Sequence, residues 1–243
     1  MTNKTNQIRA KFNKRGNIKL GHKMWTFSKL YGAKKYATKY GKIEGTCGHH
    51  CAGCEGACYV KSSYRYPSVV DGHARNTLAF RNDLTQAFSD LQNQIDRARN
   101  KPELIRIDQS GEIESPIELL NWVLMAKRNP AQKFYTYTKN FEALRMVIHT
   151  FEDGATMPQN ITINISIWHE YGLKEYLEEF KQFSFIKAFV YDDRAFNYAA
   201  HGLTIGTYCA AYDEHGNMNH AITCELCRKC IDRKCAVIGC YDH

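Results

Sequence analysis

The sequence predicts an α/β protein of five or six βα units built around a parallel sheet. Two observations predict it. Strand-like and helix-like segments alternate from residue 73 onward, at about 25–30 residues per unit. The strand-like segments are short and rich in β-branched and aromatic residues, whereas the helical ones carry apolar residues at i, i+3 and i+4.

MWTFSKL (24–30) reads as the first strand. The stretch 73–100 then places Leu78, Phe80, Leu84, Phe88, Leu91 and Ile95 at helical spacing without Gly or Pro, which predicts one long helix. LIRIDQ (104–109) is a strand, and 116–129 a helix with Ser115 as N-cap and Pro116 in its first turn. Strands follow at 133–139, 161–168 and 185–193, with helices at 140–151 and 171–183 between them. A short helix or turn at 195–202 and a last strand at 203–209 complete the pattern. Six units are too few to close an eight-stranded barrel, which leaves a partial (βα)-barrel or an open doubly wound sheet. In both, the functional loops follow the C-terminal ends of the strands.

The 243 residues are 44% hydrophobic and 24% charged, ordinary for a soluble globular chain. No apolar run approaches the roughly 18 residues of a membrane span. The N-terminus has no apolar core of a secretory signal, so the cytoplasm is the expected compartment and clustered cysteines point to metal rather than disulfides. The formal net charge of +8 is concentrated in residues 1–43, which hold twelve Lys and Arg and no acid. Trp25, Phe27, Tyr31, Tyr36 and Tyr40 are interleaved with these cations. Such a mixture suits a polyanion whose bases stack, so a nucleic acid or nucleotide is the expected partner, with Lys34, Lys35 and Lys39 as phosphate contacts. Two parts are expected: a barrel over 1–209 with the basic segment and a metal loop at 46–60, and a cysteine-rich tail over 210–243.

The loop TCGHHCAGCEGACYV (46–60) spaces its thiols as Cys47-x3-Cys51-x2-Cys54-x3-Cys58, and the tail carries Cys224, Cys227, Cys230, Cys235 and Cys240. Cys209 stands alone and reads as a small packed hydrophobe. Close thiol spacing serves an iron–sulfur cluster, whose several iron corners lie within reach of one loop. Paired CxxC elements also serve tetrahedral zinc. The roughly 170 residues between the two groups exceed a ribbon's usual 15–20 and favour two sites. His49 and His50 are secondary ligand candidates.

Cys-x3-Cys-x2-Cys after a first strand resembles the arrangement of the radical S-adenosylmethionine (SAM) enzymes. That resemblance implies a partial (βα)-barrel and a [4Fe–4S] cluster on Cys47, Cys51 and Cys54. It also implies SAM on the open iron, with Ser110, Gly111 and Glu112 after the second strand meeting its amino group. Gly53 replaces the aromatic residue usual before the third Cys, and Cys58 adds a fourth thiolate that would close the open iron. The chain also resembles the phage gene product 88 family. It does so through KMWTFSKLYG, the cysteine loop ending in Cys58-Tyr59, Arg75-Asn76, RIDQSGEIES (106–115), FYTYTK and the terminal cysteines. This second resemblance implies a bacteriophage origin and a bacterial host cytoplasm.

Further polar residues end the other strands: Asp108, Glu112 and Glu114 after the second, Thr138 and Lys139 after the third, His169 and Glu170 after the fourth, and Asp192, Asp193 and Arg194 after the fifth. On one rim they would converge on one pocket. Three functions fit. The first is a radical-SAM-like enzyme modifying nucleic acid or a nucleotide, with Glu112 and Asp108 as site carboxylates, a second cluster in the tail and an external electron donor. The second is a base-exchanging transglycosylase with structural zinc and Asp108 or Asp192 as nucleophile. The third is a non-catalytic iron–sulfur or zinc protein.

Overall fold

In the computed structural model, which describes residues 7–15, 19–21, 23–152, 156–192, 196–213, 215, 217–219 and 221–241, seven strands form one parallel sheet. They are β1 (Met24–Thr26), β4 (Leu104–Arg106), β5 (Lys133–Thr138), β6 (Ile161–Ile167), β7 (Ile186–Asp192), β8 (Thr207–Tyr208) and β9 (Val237–Tyr241). Two others, β2 (Lys35–Thr38) and β3 (Gly41–Glu44), pair as an antiparallel hairpin. The helices are α1 (Ala52–Gly56), α2 (Pro67–Asn82), α3 (Leu84–Asp96), α4 (Pro116–Arg128), α5 (Phe141–Glu152), α6 (Leu173–Glu175, continued by a π-helical turn at Tyr176–Phe180) and α7 (Cys224–Cys227).

The sheet order is β1-β4-β5-β6-β7-β9-β8. Its first five strands are neighbours in space in the order they leave the chain, so the doubly wound alternative, which needs a reversal, does not apply. Right-handed crossovers that all step in one direction place every connecting helix on the same face. The period-two alternation of the strands meets that demand. Ile105, Phe134, Ile161, Ile163, Ile165 and Val190 enter one core with Phe80 of α2, Leu91 of α3, Trp122 of α4 and Leu144 of α5. The sheet does not close, and β1 and β8 are its two edges.

The opposite face is covered by the cysteine-rich tail. Met24, Leu104 and Tyr135 form a small second core there with Leu20 and Ile231. Polar strand residues on this face bind tail carbonyls: Thr162 Oγ1 donates to Ile231 O at 2.7 Å and Asn164 Nδ2 to Cys230 O at 3.1 Å. Lys187 Nζ donates to Asp232 O at 2.8 Å and to Lys229 O. The tail then supplies β9, inserted between β7 and β8, so Val237–Tyr241 belong to the main sheet.

Some local expectations change. The single helix over 73–100 is two helices, broken at Asp83, whose extended backbone (φ −157°) and carboxylate accepting Gln86 N–H at 2.9 Å make it the N-cap of α3. The strand over 203–209 shrinks to two residues, and the hairpin β2–β3 had no alternating signal to betray it. Ser115 caps α4 as expected, accepting Glu118 N–H at 3.2 Å.

Beneath the loops after β1 and β4, the fully buried Lys29 joins three carboxylates. Its Nζ lies 2.5 Å from Glu118 Oε1, 3.6 Å from Asp108 Oδ2 and 4.0 Å from Glu114 Oε2. Burial pushes the Asp108 carboxyl well up, and Lys29 opposes it. Removing the cation while leaving buried carboxylates costs about 3–5 kcal/mol. Lys29→Met is therefore expected to lower unfolding stability by about that amount in urea. Adding Glu118→Gln should restore part of the loss.

Candidate functional site

Because the strands are parallel, the loops leaving their C-terminal ends share one rim, and four of them meet at the thiol loop. Thr46 Oγ1 donates to Leu30 O and accepts Glu112 N–H at 2.9 Å, joining the loop after β1 to that after β4. Tyr59, the residue after Cys58, donates its hydroxyl to Gln109 O. From the end of β5, Lys139 Nζ reaches Cys54 Sγ at 3.2 Å. From the end of β6, Glu170 Oε1 accepts Gly53 N–H at 3.0 Å. Arg81 of α2 locks the loop's start, donating to Glu44 O and Gly45 O as well as to Glu114.

Gly53 is required by a close approach. A Cβ there would lie 2.8 Å from Trp168 Cε3 and 2.9 Å from Glu170 Oε1. Trp168, stacked on Tyr191 at 3.9 Å, thus places an aromatic ring against the residue before the third cysteine of the loop. An aromatic at position 53 itself would have no room.

Burial, and next to it the Glu112 carboxylate, push the Cys47 thiol up to about 12. Burial raises Cys51 to about 11 and raises Cys58 as well. Lys139 opposes these effects: burial disfavours its ammonium, but Cys54 and Glu112 more than compensate and its pKa rises. A bound cation would reverse the balance at the thiols. His50 is tied inside the loop, with Nδ1 2.7 Å from Cys47 O and Nε2 3.5 Å from Glu55 Oε2. Among the described residues no three His, Cys, Asp or Glu side chains are grouped closely enough to hold a metal ion.

The Ser110-Gly111-Glu112 turn lies beside this loop but is engaged internally. Ser110 Oγ donates to Lys29 O at 2.9 Å, and Gly111 (φ +89°) packs against Thr46 and Lys29. Glu112 Oε1 accepts from Ile113 N–H at 2.9 Å and Thr138 Oγ1 at 2.7 Å, and Oε2 from Lys139 N–H at 3.0 Å. Glu112 is thus a latch between two rim loops. Asp108 is sealed from solvent, with both carboxylate oxygens lacking a hydrogen bond and a left-handed backbone (φ +45°), so it offers no open nucleophile. His169 and Glu170 lie on the rim, whereas the Asp192 side chain and all of Asp193 and Arg194 lie outside the described residues.

The hairpin carries Lys34, Lys35 and Lys39 exposed, with Lys34 Nζ 5.4 Å from the Tyr36 ring and Lys39 Nζ 5.1 Å from that of Tyr40. The interleaved aromatics divide differently from the expectation. Trp25 and Phe27 are core, because the chain at β1 alternates into the helix-covered face, and Tyr31 is buried against Tyr36 and Tyr64. The exposed rings beside the thiol loop are Tyr59 and Tyr66.

In the tail, Cys224, Cys227 and Cys230 line one small cavity together with Cys209. Cys209 is therefore a member of the cysteine group rather than an isolated packed thiol; its distance in sequence concealed it. Cys235 Sγ instead donates to Val237 O at 3.2 Å, and Cys240 on β9 hydrogen-bonds with Cys209.

A family model described as gene product 88 matches residues 3–240. The chain belongs to the gene product 88 family. No curated protein and no solved structure matches it. The span that defines the chain as a gene product 88 protein includes the hairpin, the thiol loop, the rim and all ten cysteines. Among the described residues no helix is long and apolar enough to cross a membrane.

The Gly53 contact yields a direct test. Gly53→Ala should cost about 1–3 kcal/mol by overpacking and should speed alkylation of Cys54 by pushing the loop off Lys139. Combining it with Trp168→Leu should reverse both effects, read by urea unfolding and thiol mass spectrometry.

Proposed function

We propose that this gene product 88 protein binds an iron–sulfur cluster on its rim loop and acts on a nucleic acid or nucleotide held beside it. One observation carries the reading: the basic hairpin and the thiol loop are a single unit. Gly45 N–H donates to Lys34 O at 2.9 Å and Cys47 N–H to Gly32 O at 3.0 Å. Phosphates drawn to Lys34, Lys35 and Lys39 would therefore lie next to the cysteines, with Tyr59 and Tyr66 exposed for stacking.

The donor set fits a cluster. Cys47, Cys51 and Cys54 are soft ligands at close spacing, and Lys139 supplies a buried cation beside an anionic centre. The sequential order of the first five strands, with the helices between them on one face and the thiol loop after the first strand, supports a partial barrel of the radical-SAM kind. When bound, such a cluster supplies one electron, and with SAM on an open iron it serves reductive cleavage of that cofactor. The chain's own residues do the rest. Glu112 ties the loops after β4 and β5, Lys139 balances charge at Cys54, and Trp168 walls the loop. A bacteriophage origin, a bacterial cytoplasm and an external electron donor belong to the same reading.

Anaerobic reconstitution with iron and sulfide tests it. A brown protein with broad visible absorbance is expected, and Cys54→Ser should abolish the colour. A colourless protein that takes up only zinc would overturn the iron reading. Cys58→Ser decides whether the site is open: retained colour and SAM cleavage are expected, whereas loss of colour makes Cys58 a fourth ligand and the protein non-catalytic.

The hairpin has its own test. Lys34→Gln, Lys35→Gln and Lys39→Gln together should lower the salt slope of nucleic-acid binding by about two to three. An unchanged slope would remove the hairpin from the interface.

A further inference from the structure

The face of the sheet opposite the crossover helices holds a second set of thiols that the rim reading does not use. Cys209 follows β8, and Cys224, Cys227 and Cys230 lie in and after α7. With Tyr135 they line a cavity of about 20 Å³. The local chain is built to bring them there. Thr223 caps α7, accepting Leu226 N–H at 3.3 Å, and the turn places Cys224 and Cys227 together. Arg228 then adopts a left-handed backbone (φ +57°), unusual for a residue with a side chain, and turns Cys230 back toward them. Asn164 of β6 holds the Cys230 carbonyl in place.

We propose that Cys209, Cys224, Cys227 and Cys230 form a tetrathiolate site for a single divalent ion of the zinc class, separate from the rim loop. Size argues for one ion. The space among the four cysteines is small, about 20 Å³, which suits a single ion better than an iron–sulfur cube. The donor set agrees, since four sulfurs at tetrahedral corners are a closed structural site for zinc.

Charge argues the same way. Such a site carries a net −2 once the ion enters and four thiol protons leave. The surroundings are positive. Lys187 is 1% exposed and, among the described residues, hydrogen-bonds only to the carbonyls of Lys229 and Asp232. Arg106 has a buried Nε with no hydrogen-bond partner. A buried ammonium such as that of Lys187 is favoured by an anion beside it. The sulfurs line the cavity without converging on one point at bonding distance, so ion binding is coupled to local closure. Cys235 is excluded because its thiol turns to Val237 O. Cys240 stands behind Cys209 rather than at the cavity.

The test uses the full chain with Cys47, Cys51, Cys54 and Cys58 all changed to Ser, so its outcome is independent of the rim reading. Anaerobic titration with Co²⁺ should give one equivalent bound, with sulfur-to-cobalt charge transfer and tetrahedral ligand-field bands that one equivalent of Zn²⁺ abolishes. Cys209→Ser should remove the stoichiometric complex, and Cys235→Ser should leave it. Footprinting of the unaltered chain separates loss of a ligand from loss of fold. Zn²⁺ should protect Cys209, Cys224, Cys227 and Cys230 from iodoacetamide and leave the Cys235 rate unchanged. Absence of a one-to-one complex, protection of Cys235 in place of Cys209, or a Cys209–Cys240 disulfide in anaerobically purified protein would overturn the assignment.

Discussion

Most of this structure follows from the direction in which its crossovers step. A sheet whose first five strands are each added on the same side places the helices between them on one face and leaves the other bare. A bare face of parallel strands cannot stay exposed in a chain of this size, because parallel sheets are stable when both faces are covered. The cover here is the tail, and its grip is polar. Thr162, Asn164 and Lys187 present donors where the helix-covered face presents Ile and Val, and carbonyls of 229–232 accept them. Each buried donor without an acceptor would cost more than its hydrogen bond contributes. The tail is therefore held in register by backbone groups, leaving the cysteine side chains free of that task.

At the rim a second constraint operates, and Glu112 is its centre. Its carboxylate gathers three donors from two loops, while its own N–H holds the thiol loop through Thr46. The same charge helps keep Cys47 protonated. Lys139, whose N–H binds Glu112 and whose ammonium contacts Cys54, pulls in the opposite sense. Latch and electrostatic environment are thus one set of contacts, and a change that loosens the loops also changes the thiols.

The fold was legible where periodicity was strong. The strands at β5 and β6 and the Ser115-Pro116 start of α4 follow from alternation and capping chemistry. The break at Asp83 was missed because the apolar period runs straight through it, and only the capping bond to Gln86 reveals the change of direction. β9 was hidden because a two-sided tail segment, paired on both edges and half covered, shows no amphipathic pattern. At the site, the thiol spacing announced a loop of ligands, and the strand ends announced Lys139 and Glu170 as residues of the same rim. Trp168 and Arg81 reach it only through the fold. Cys209 was unreadable for the same reason: it stands fifteen residues from Cys224 and joins it through the pairing of β8 with β9.

The two cysteine groups are not isolated from each other. Arg106, the last residue of β4, reaches toward both. Its Nη2 donates to the Tyr59 hydroxyl at 3.1 Å, and Tyr59 directly follows Cys58. Its guanidinium lies 5.0 Å from the ring of Tyr137 and 6.0 Å from that of Tyr135, a wall of the tail cavity, and its charge acts on Cys224. A cation in that position has two tasks that cannot be separated. It opposes the burial that pushes the Cys224 thiol up, and it anchors the C-terminal end of the rim loop. Charge that develops on one cysteine group is therefore felt by the side chain that positions the other, without any contact between the two sets of sulfurs.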